Sequence, residues 1–351
     1  MTAPRYSWQP TTAEIAQRYG LRPSDVIRFD HNTSPFPTDW APSIVGPMAQ
    51  RLNEYPGASY APLRRAAASY LDTDPDRIVP GAGIDELILL IAKAFLGPGK
   101  RATAVLPTYP LYEIASLQHG AEFIAVEYGF PDFGFPSRPI GEAAETSDVT
   151  WLCSPNNPTG HRIDDAEIAA IIGDAGGLVV IDAAYAEFSQ DRWSPWVERF
   201  DNVIVCQTLS KGFGLAALRV GFAMTNPEIA RELDGVRPPG SISSMSAEIA
   251  ESALLTTSRM HRQVDRIVRE RGRLSESLRD VGMDVVPDSE ANFVLCDVGP
   301  SAGELAGDLM TEGIVVRTFA STSPIHEFLR FTVRTREEND RLIDALRRRR
   351  P

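Results

Sequence analysis

Apolar residues recur along this chain at two different periods. Strand-length apolar runs occur at 102–106, 122–126, 149–153, 178–181, 203–207 and 220–224. Between them lie stretches whose apolar positions fall three and four apart, as at 64–71, 84–95 and 165–172, the spacing of one buried helix face. Several of the short runs are apolar throughout, as strands covered on both faces require. Strands alternating with helices predict a largely parallel sheet flanked by helices on both sides, an α/β fold.

The pattern changes at Pro238-Pro239-Gly240. A long helical stretch follows at 247–278, polar on one face, then strands near 293–296, 314–316 and 329–333 and a closing helix at 337–348. At the other end, residues before about 45 are rich in proline and aromatics, with one short helix at 12–19. The segment 130–147, heavy in Pro, Gly and acids, predicts a surface connection. The expected organisation is an arm at 1–45 that adds to a small domain, a large domain at 46–237, and a C-terminal small α+β domain at 238–351.

Bulk properties narrow the partners. The 351 residues carry a net charge of −12, which argues against nucleic acid or an anionic membrane as main partner. The run of arginines at 347–350 suits the last turn of a helix, where cations face the negative end of the dipole. No segment has the ~20 apolar residues of a membrane span. The start, Met1-Thr2-Ala3-Pro4-Arg5-Tyr6-Ser7-Trp8, has no apolar core of a signal peptide. Cys153, Cys206 and Cys296, each in a strand-like run, predict buried reduced thiols and a cytoplasmic protein. The five histidines show no metal-ligand spacing, so no metal is expected.

Lysine usage changes the picture more. Only Lys93, Lys100 and Lys211 occur; arginine supplies the remaining cations. A buried lysine can lose its proton and act as nucleophile or base, which a guanidinium cannot. Lys211 stands in Thr208-Leu209-Ser210-Lys211-Gly212-Phe213-Gly214, with Arg219 eight residues on, the ingredients of an anion site around an amine. Gly81-Ala82-Gly83-Ile84-Asp85-Glu86 opens a helix whose first N–H groups suit a phosphate, although as a dinucleotide fingerprint it fails at Glu86. Ser154-Pro155-Asn156-Asn157-Pro158-Thr159-Gly160 follows a strand end, where open parallel sheets place ligands. Asp182 and Tyr185 lie at the next strand end, and Arg317 and Arg330 on late strands form a pair able to clamp an anion. Taken singly, each has a plainer reading as turn, cap or surface charge.

As a set, in this order, these residues resemble the fold-type I pyridoxal-phosphate aminotransferases, and within them the histidinol-phosphate aminotransferases, over residues 29–346. The resemblance implies that fold: a large domain with a mostly parallel sheet between helices, and a smaller α+β domain. It implies pyridoxal 5'-phosphate bound covalently by Lys211, with Asp182 pairing the ring nitrogen and Asn157 and Tyr185 the phenolic oxygen. Thr208, Ser210, Arg219 and the backbone of Gly83, Ile84 and Asp85 would hold the phosphate, and Tyr109 would stack on the ring. Tyr55 would reach the cofactor phosphate of a neighbouring subunit, hence a homodimer with shared active sites. Asn32, Arg317 and Arg330 would bind substrate. The implied reaction moves an amino group from histidinol phosphate or a related donor to 2-oxoglutarate. Other amino-acid donors, aromatic ones included, and other pyridoxal-phosphate reactions such as phosphothreonine-type decarboxylation or oxidation remain alternatives. Three departures bear on substrate: Ala183 where the family has Glu, Ser154 where Asn is common, and Arg334-Thr335 where Gly-Thr is usual.

Overall fold

The computed structural model describes residues 9–130 and 132–349, without the side chains of 47–49. The signal-peptide reading of residues 1–8 and the last arginine of the terminal run lie outside the described residues.

In chain order the strands are β1 Ile27–Arg28, β2 Ile78–Gly81, β3 Arg101–Leu106, β4 Glu122–Glu127, β5 Val149–Cys153, β6 Leu178–Asp182, β7 Val203–Thr208, β8 Gly221–Thr225, β9 Asp284–Val285, β10 Phe293–Asp297, β11 Ile314–Val315 and β12 Phe328–Thr332. Seven form one sheet in the order β2-β8-β7-β6-β5-β3-β4. β8 runs antiparallel to both its neighbours, while β7, β6, β5, β3 and β4 pair in parallel. Every residue of β2, β5, β7 and β8 is buried, so the central strands are covered on both faces as their uninterrupted apolar runs require. The helices Gly83–Phe95 and Leu111–Gln118 pack together, as do Ser137–Ala144 and Asp165–Asp174. The mostly parallel α/β architecture is as the alternating pattern predicts.

Registers show which ends of the strands matter. Gly81 pairs with Gly221, Gly221 with Thr208, Cys206 with Asp182 and Asp182 with Cys153. The C-terminal ends of the parallel strands and the start of β8 therefore share one edge of the sheet, where ligands of such sheets bind.

A second, antiparallel sheet has the order β12-β10-β9, and β1 pairs in parallel with β11. The N-terminal stretch thus joins the C-terminal elements: Phe29 N–H donates to Val315 O at 2.7 Å and Thr332 N–H to Phe29 O at 2.8 Å. Beyond β1 the arm is fixed on the helix Ser258–Asp280 through Arg266 over the Phe36 ring (4.1 Å) and Arg259 over Trp40 (5.3 Å). Phe29, Tyr112, Trp151, Phe293 and Phe331 are fully buried in one contiguous core that spans both sheets. Cys153, Cys206 and Cys296 are buried and unbridged, as expected.

Two expectations needed correction. The segment 130–147 is no plain connection: it contains the helix Ser137–Ala144, whose Ile140 and Ala144, four apart, are fully buried. Surrounding prolines and acids dilute that short apolar stripe. The continuous stretch 247–278 is two helices, Ser244–Leu255 and Ser258–Asp280, separated at Thr256 and Thr257. The closing helix, Arg336–Arg347, starts in a capping box between Thr335 and Glu338 and ends in the arginine run. Among the described residues no helix is long and apolar enough to cross a membrane.

Candidate active site

Lys211 lies on the connection between β7 and β8, half-buried, with Nζ 3.4 Å from the His31 carbonyl and 5.8 Å from the Tyr185 ring centroid. Its pKa is lowered to about 8, first by burial and next by the Arg330 charge, against an opposing pull from Asp85 and Asp182. A lysine in that range holds a usable fraction of free amine near neutral pH.

Asp182 ends β6 and is 5% exposed. Its Oδ2 accepts from Tyr112 OH at 2.6 Å and its Oδ1 from the Ala184 N–H at 3.0 Å. Burial nevertheless raises it to about 6. Tyr185, three residues on, is buried edge-on against Phe293 at 5.2 Å, and its hydroxyl accepts from Asn32 Nδ2 at 3.0 Å.

The helix Gly83–Phe95 begins at the same edge with Gly83 at φ +80°, a conformation that suits glycine. A Cβ there would stand 2.7 Å from Arg219 Nη2, so the missing side chain is what lets the guanidinium close over the helix start. Gly221 serves the same approach from below, since a Cβ would meet the Gly83 carbonyl carbon at 3.1 Å and Ile84 N at 3.2 Å. Arg219 donates to Asp85 Oδ2 at 2.8 Å, and Tyr109 OH donates to Asp85 Oδ1 at 2.9 Å. Thr208 Oγ1 donates to Ser210 Oγ at 2.9 Å beside them. Free N–H groups of a first helical turn, a guanidinium and two hydroxyls make an anion cradle. That donor set suits a phosphate, and the two glycines are what let its parts approach one another.

The end of β5 leads into the loop 154–160. Ser154 Oγ accepts from Ile163 N–H at 3.0 Å, and Asn156 Oδ1 accepts from Thr108 Oγ1 at 2.7 Å, tying the loop to the one after β3. The peptide bonds before Pro107, Pro155 and Pro158 are cis. Asn157 Oδ1 accepts from Arg330 Nη1, and Arg330 Nη2 donates to the Asp30 carbonyl at 2.7 Å. Arg317 and Arg330 exchange both backbone hydrogen bonds, at 3.1 and 3.0 Å. Asn32, at φ 53° and 2% exposed, is held by Thr332, whose Oγ1 donates to Asn32 Oδ1 at 2.9 Å.

The structure thus gathers Lys211, Asp182, Tyr185, Asn157, Tyr109, Thr208, Ser210, Arg219, Gly83, Ile84, Asp85, Asn32, Arg317 and Arg330 around one sheet edge. Tyr55 does not join them. It is 96% exposed and lines a cavity of about 510 Å³ with Arg51, Leu52, Tyr60 and Met245. Arg334 is not a free charge near the substrate end: it donates to Glu338 at 3.2 Å and Thr33 O at 3.5 Å. Sequence reasoning missed Tyr112 as a partner of Asp182 and the Asp85 side chain as a partner of Arg219. Tyr112 sits three residues after Tyr109, one helical turn away, which was the available signal.

The family model described as aminotransferase class I and II matches residues 24–346. A histidinol-phosphate aminotransferase of Caldanaerobacter subterraneus subsp. tengcongensis is 38% identical over 91% of this chain and 92% of its own. The histidinol-phosphate aminotransferase 2 of Archaeoglobus fulgidus is 36% identical over 93% and 96%. The crystal structure of histidinol-phosphate aminotransferase from Sinorhizobium meliloti in complex with pyridoxal-5'-phosphate superimposes with a TM-score of 0.88 at 25% identity, covering 97% of this chain and 95% of that one. A family model matched over residues 24–346, with relatives 38% and 36% identical over more than nine-tenths of the chain, places this protein in the class I and II aminotransferase family.

Proposed function

We propose that this aminotransferase uses pyridoxal 5'-phosphate to move an amino group from histidinol phosphate, or a close analogue, to 2-oxoglutarate. The observation that carries the reading is Lys211, whose Nζ lies 3.4 Å from His31 O and 5.8 Å from the Tyr185 ring, within the field of Asp85, Arg219, Asp182 and Arg330 and with its pKa lowered to about 8. When bound, pyridoxal phosphate supplies an electron sink for the pair left as the donor's Cα–H bond breaks.

The residues divide the remaining work. Lys211 would be the amine that anchors the cofactor, and as a free amine it would serve as the base for the donor's Cα proton. Asp182 would pair with the ring nitrogen and favour its protonated form, and Asn157 and Tyr185 would hydrogen-bond the phenolic oxygen. Thr208, Ser210, Arg219 and the N–H groups of Gly83, Ile84 and Asp85 would hold the phosphate, and Tyr109 would cover the ring. Tyr55, exposed on this chain, would complete the phosphate site of a second copy, in a homodimer with shared sites. Asn32, Arg317 and Arg330 would orient substrate, on a small C-terminal domain spanning 238–351 and the arm, against a large domain spanning 46–237. Histidinol phosphate has no α-carboxylate, so its phosphate would meet the arginines that grip the carboxylate of glutamate. Paired guanidinium hydrogen bonds suit both anions.

Mixing the pyridoxal-phosphate protein with single amino donors and following cofactor absorbance tests the reading. Histidinol phosphate should react with a higher kcat/KM than phenylalanine, tyrosine or histidine, and Lys211→Ala should lose the reaction by at least about 1000-fold, the scale of removing a positioned base. A faster reaction with a free amino acid would move the substrate assignment to that donor. Release of carbon dioxide in step with turnover would replace transamination by decarboxylation.

A further inference from the structure

Tyr112 has no part in the reading above, yet it touches two of its residues. The phenol is 1% exposed, donates to Asp182 Oδ2 at 2.6 Å, and stands edge-on to Tyr109 with centroids 5.8 Å apart. On its other side the ring lies parallel to Trp151, at 5.4 Å and 8° between planes. Ser116 Oγ donates to the Tyr112 carbonyl at 2.7 Å and accepts from Trp151 Nε1 at 3.3 Å, so the two stacked rings are fixed to each other. A ring held this way has one orientation, and its hydroxyl is aimed before any ligand arrives.

The need for such a donor follows from where Asp182 sits. Cys153 and Cys206 flank it in register on the neighbouring strands, and both are buried thiols whose pKa burial pushes up. Asp85 adds a like charge, and Lys211 an opposite one. Two donors reach the carboxylate, Tyr112 OH and the Ala184 N–H, and burial still holds it at about 6. With one donor fewer, the carboxyl would take up its proton closer to neutral pH and lose the charge that a ring N–H needs opposite it. Tyr112 is suited to the task because its own ionisation is pushed well above the ordinary value by burial, so it stays a donor.

We propose that Tyr112 is a positioning residue, which by donating to Oδ2 keeps Asp182 ionised and turned toward the ring nitrogen of the cofactor. This rests on the site being a pyridoxal-phosphate site. The test is Tyr112→Phe, which keeps the stacked ring and removes only the hydroxyl. Dissociation constants are measured for pyridoxal phosphate and for its analogue with carbon in place of the ring nitrogen, alongside a thermal melt. The variant should bind pyridoxal phosphate about tenfold more weakly, the scale of one hydrogen bond to a charged group, and the carbon analogue within about twofold of wild type. Equal weakening toward both ligands would assign Tyr112 to packing alone and overturn the proposal, as would unchanged affinity for both. A wild-type protein that binds no pyridoxal phosphate would instead overturn the reading of the site, and this proposal with it.

Discussion

Asp85 Oδ2 and Arg219 Nη2 meet at 2.8 Å across 134 residues of sequence. The other Asp85 oxygen takes the Tyr109 hydroxyl at 2.9 Å, so one carboxylate ties together a helix start, the β7–β8 connection and the loop after β3. That charge also raises the pKa of Lys211, against burial and the two arginines that lower it. Asp85→Asn keeps the shape and removes the charge, so the Lys211 midpoint, near 8 in wild type, should move down. The rate at which the amine captures pyridoxal phosphate, followed against pH, reports it. Wild type should speed up as pH rises through 8, and the variant should reach its plateau earlier. A midpoint that stays or climbs would refute the assigned field.

Gly83→Ala probes the cradle. At φ +80° the new Cβ costs about 1–2 kcal/mol of backbone strain, and it also stands 2.7 Å from Arg219 Nη2. Pyridoxal phosphate should bind at least about tenfold more weakly, whereas pyridoxal, lacking the phosphate, should lose little. Titrations with the two ligands decide it; equal losses would mean that the phosphate is not held here.

Glu187 carries a pH dependence of stability. Its Oε2 is buried without a hydrogen-bond partner among the described side chains, Oε1 takes the Tyr70 hydroxyl at 3.5 Å, and burial raises the carboxyl from 4.5 to about 8. Between those two values the folded state holds a proton that the unfolded chain has lost. Stability therefore falls as pH rises through the window, by up to about 1.4 kcal/mol per pH unit. Glu187→Gln has no such proton, so denaturant unfolding at pH 5 and pH 8 should show the gap shifting in favour of the variant as pH rises. A constant gap between the two proteins would remove Glu187 from the account.

The hydrogen bonds of Arg334 to Glu338 and Thr33 O make it a clamp between the arm and the last helix. Arg334→Gly should cost roughly 1 kcal/mol of unfolding free energy and leave the donor KM unchanged. A large rise in KM with unchanged stability would return Arg334 to the substrate.

How much of this was legible beforehand depends on the range of each interaction. The 102–106 and 149–153 runs read as strands because their burial is written in consecutive residues. Asp182 and Asn157 stood out because each ends or follows such a run, Lys211 because lysine is so rare here, and Arg219 because it stands eight residues after that lysine. The helix Ser137–Ala144 did not, since only two of its eight residues are buried among prolines and acids. Nor did the Tyr112–Asp182 hydrogen bond, which joins residues 70 apart and depends on which way a buried ring faces. The destination of the Arg334 charge was equally hidden: a long side chain can reach solvent, substrate or a neighbouring carboxylate, and packing alone selects one.

The reversed direction of β8 has a mechanical consequence. Because Gly221 pairs directly with Thr208, the amine of Lys211 and the guanidinium of Arg219 ride on one excursion, residues 209–220, that leaves and re-enters the sheet at a single rung. A parallel strand at that place would have sent the chain across to the far end before returning, with the two cations on separate supports. As built, a slip of that rung would carry nucleophile and anion grip together as one rigid tooth. Their mutual spacing is held within residues 209–220, while their distances to Asp182, on β6, and to Asp85, at the start of the helix Gly83–Phe95, are left for the rest of the molecule to maintain.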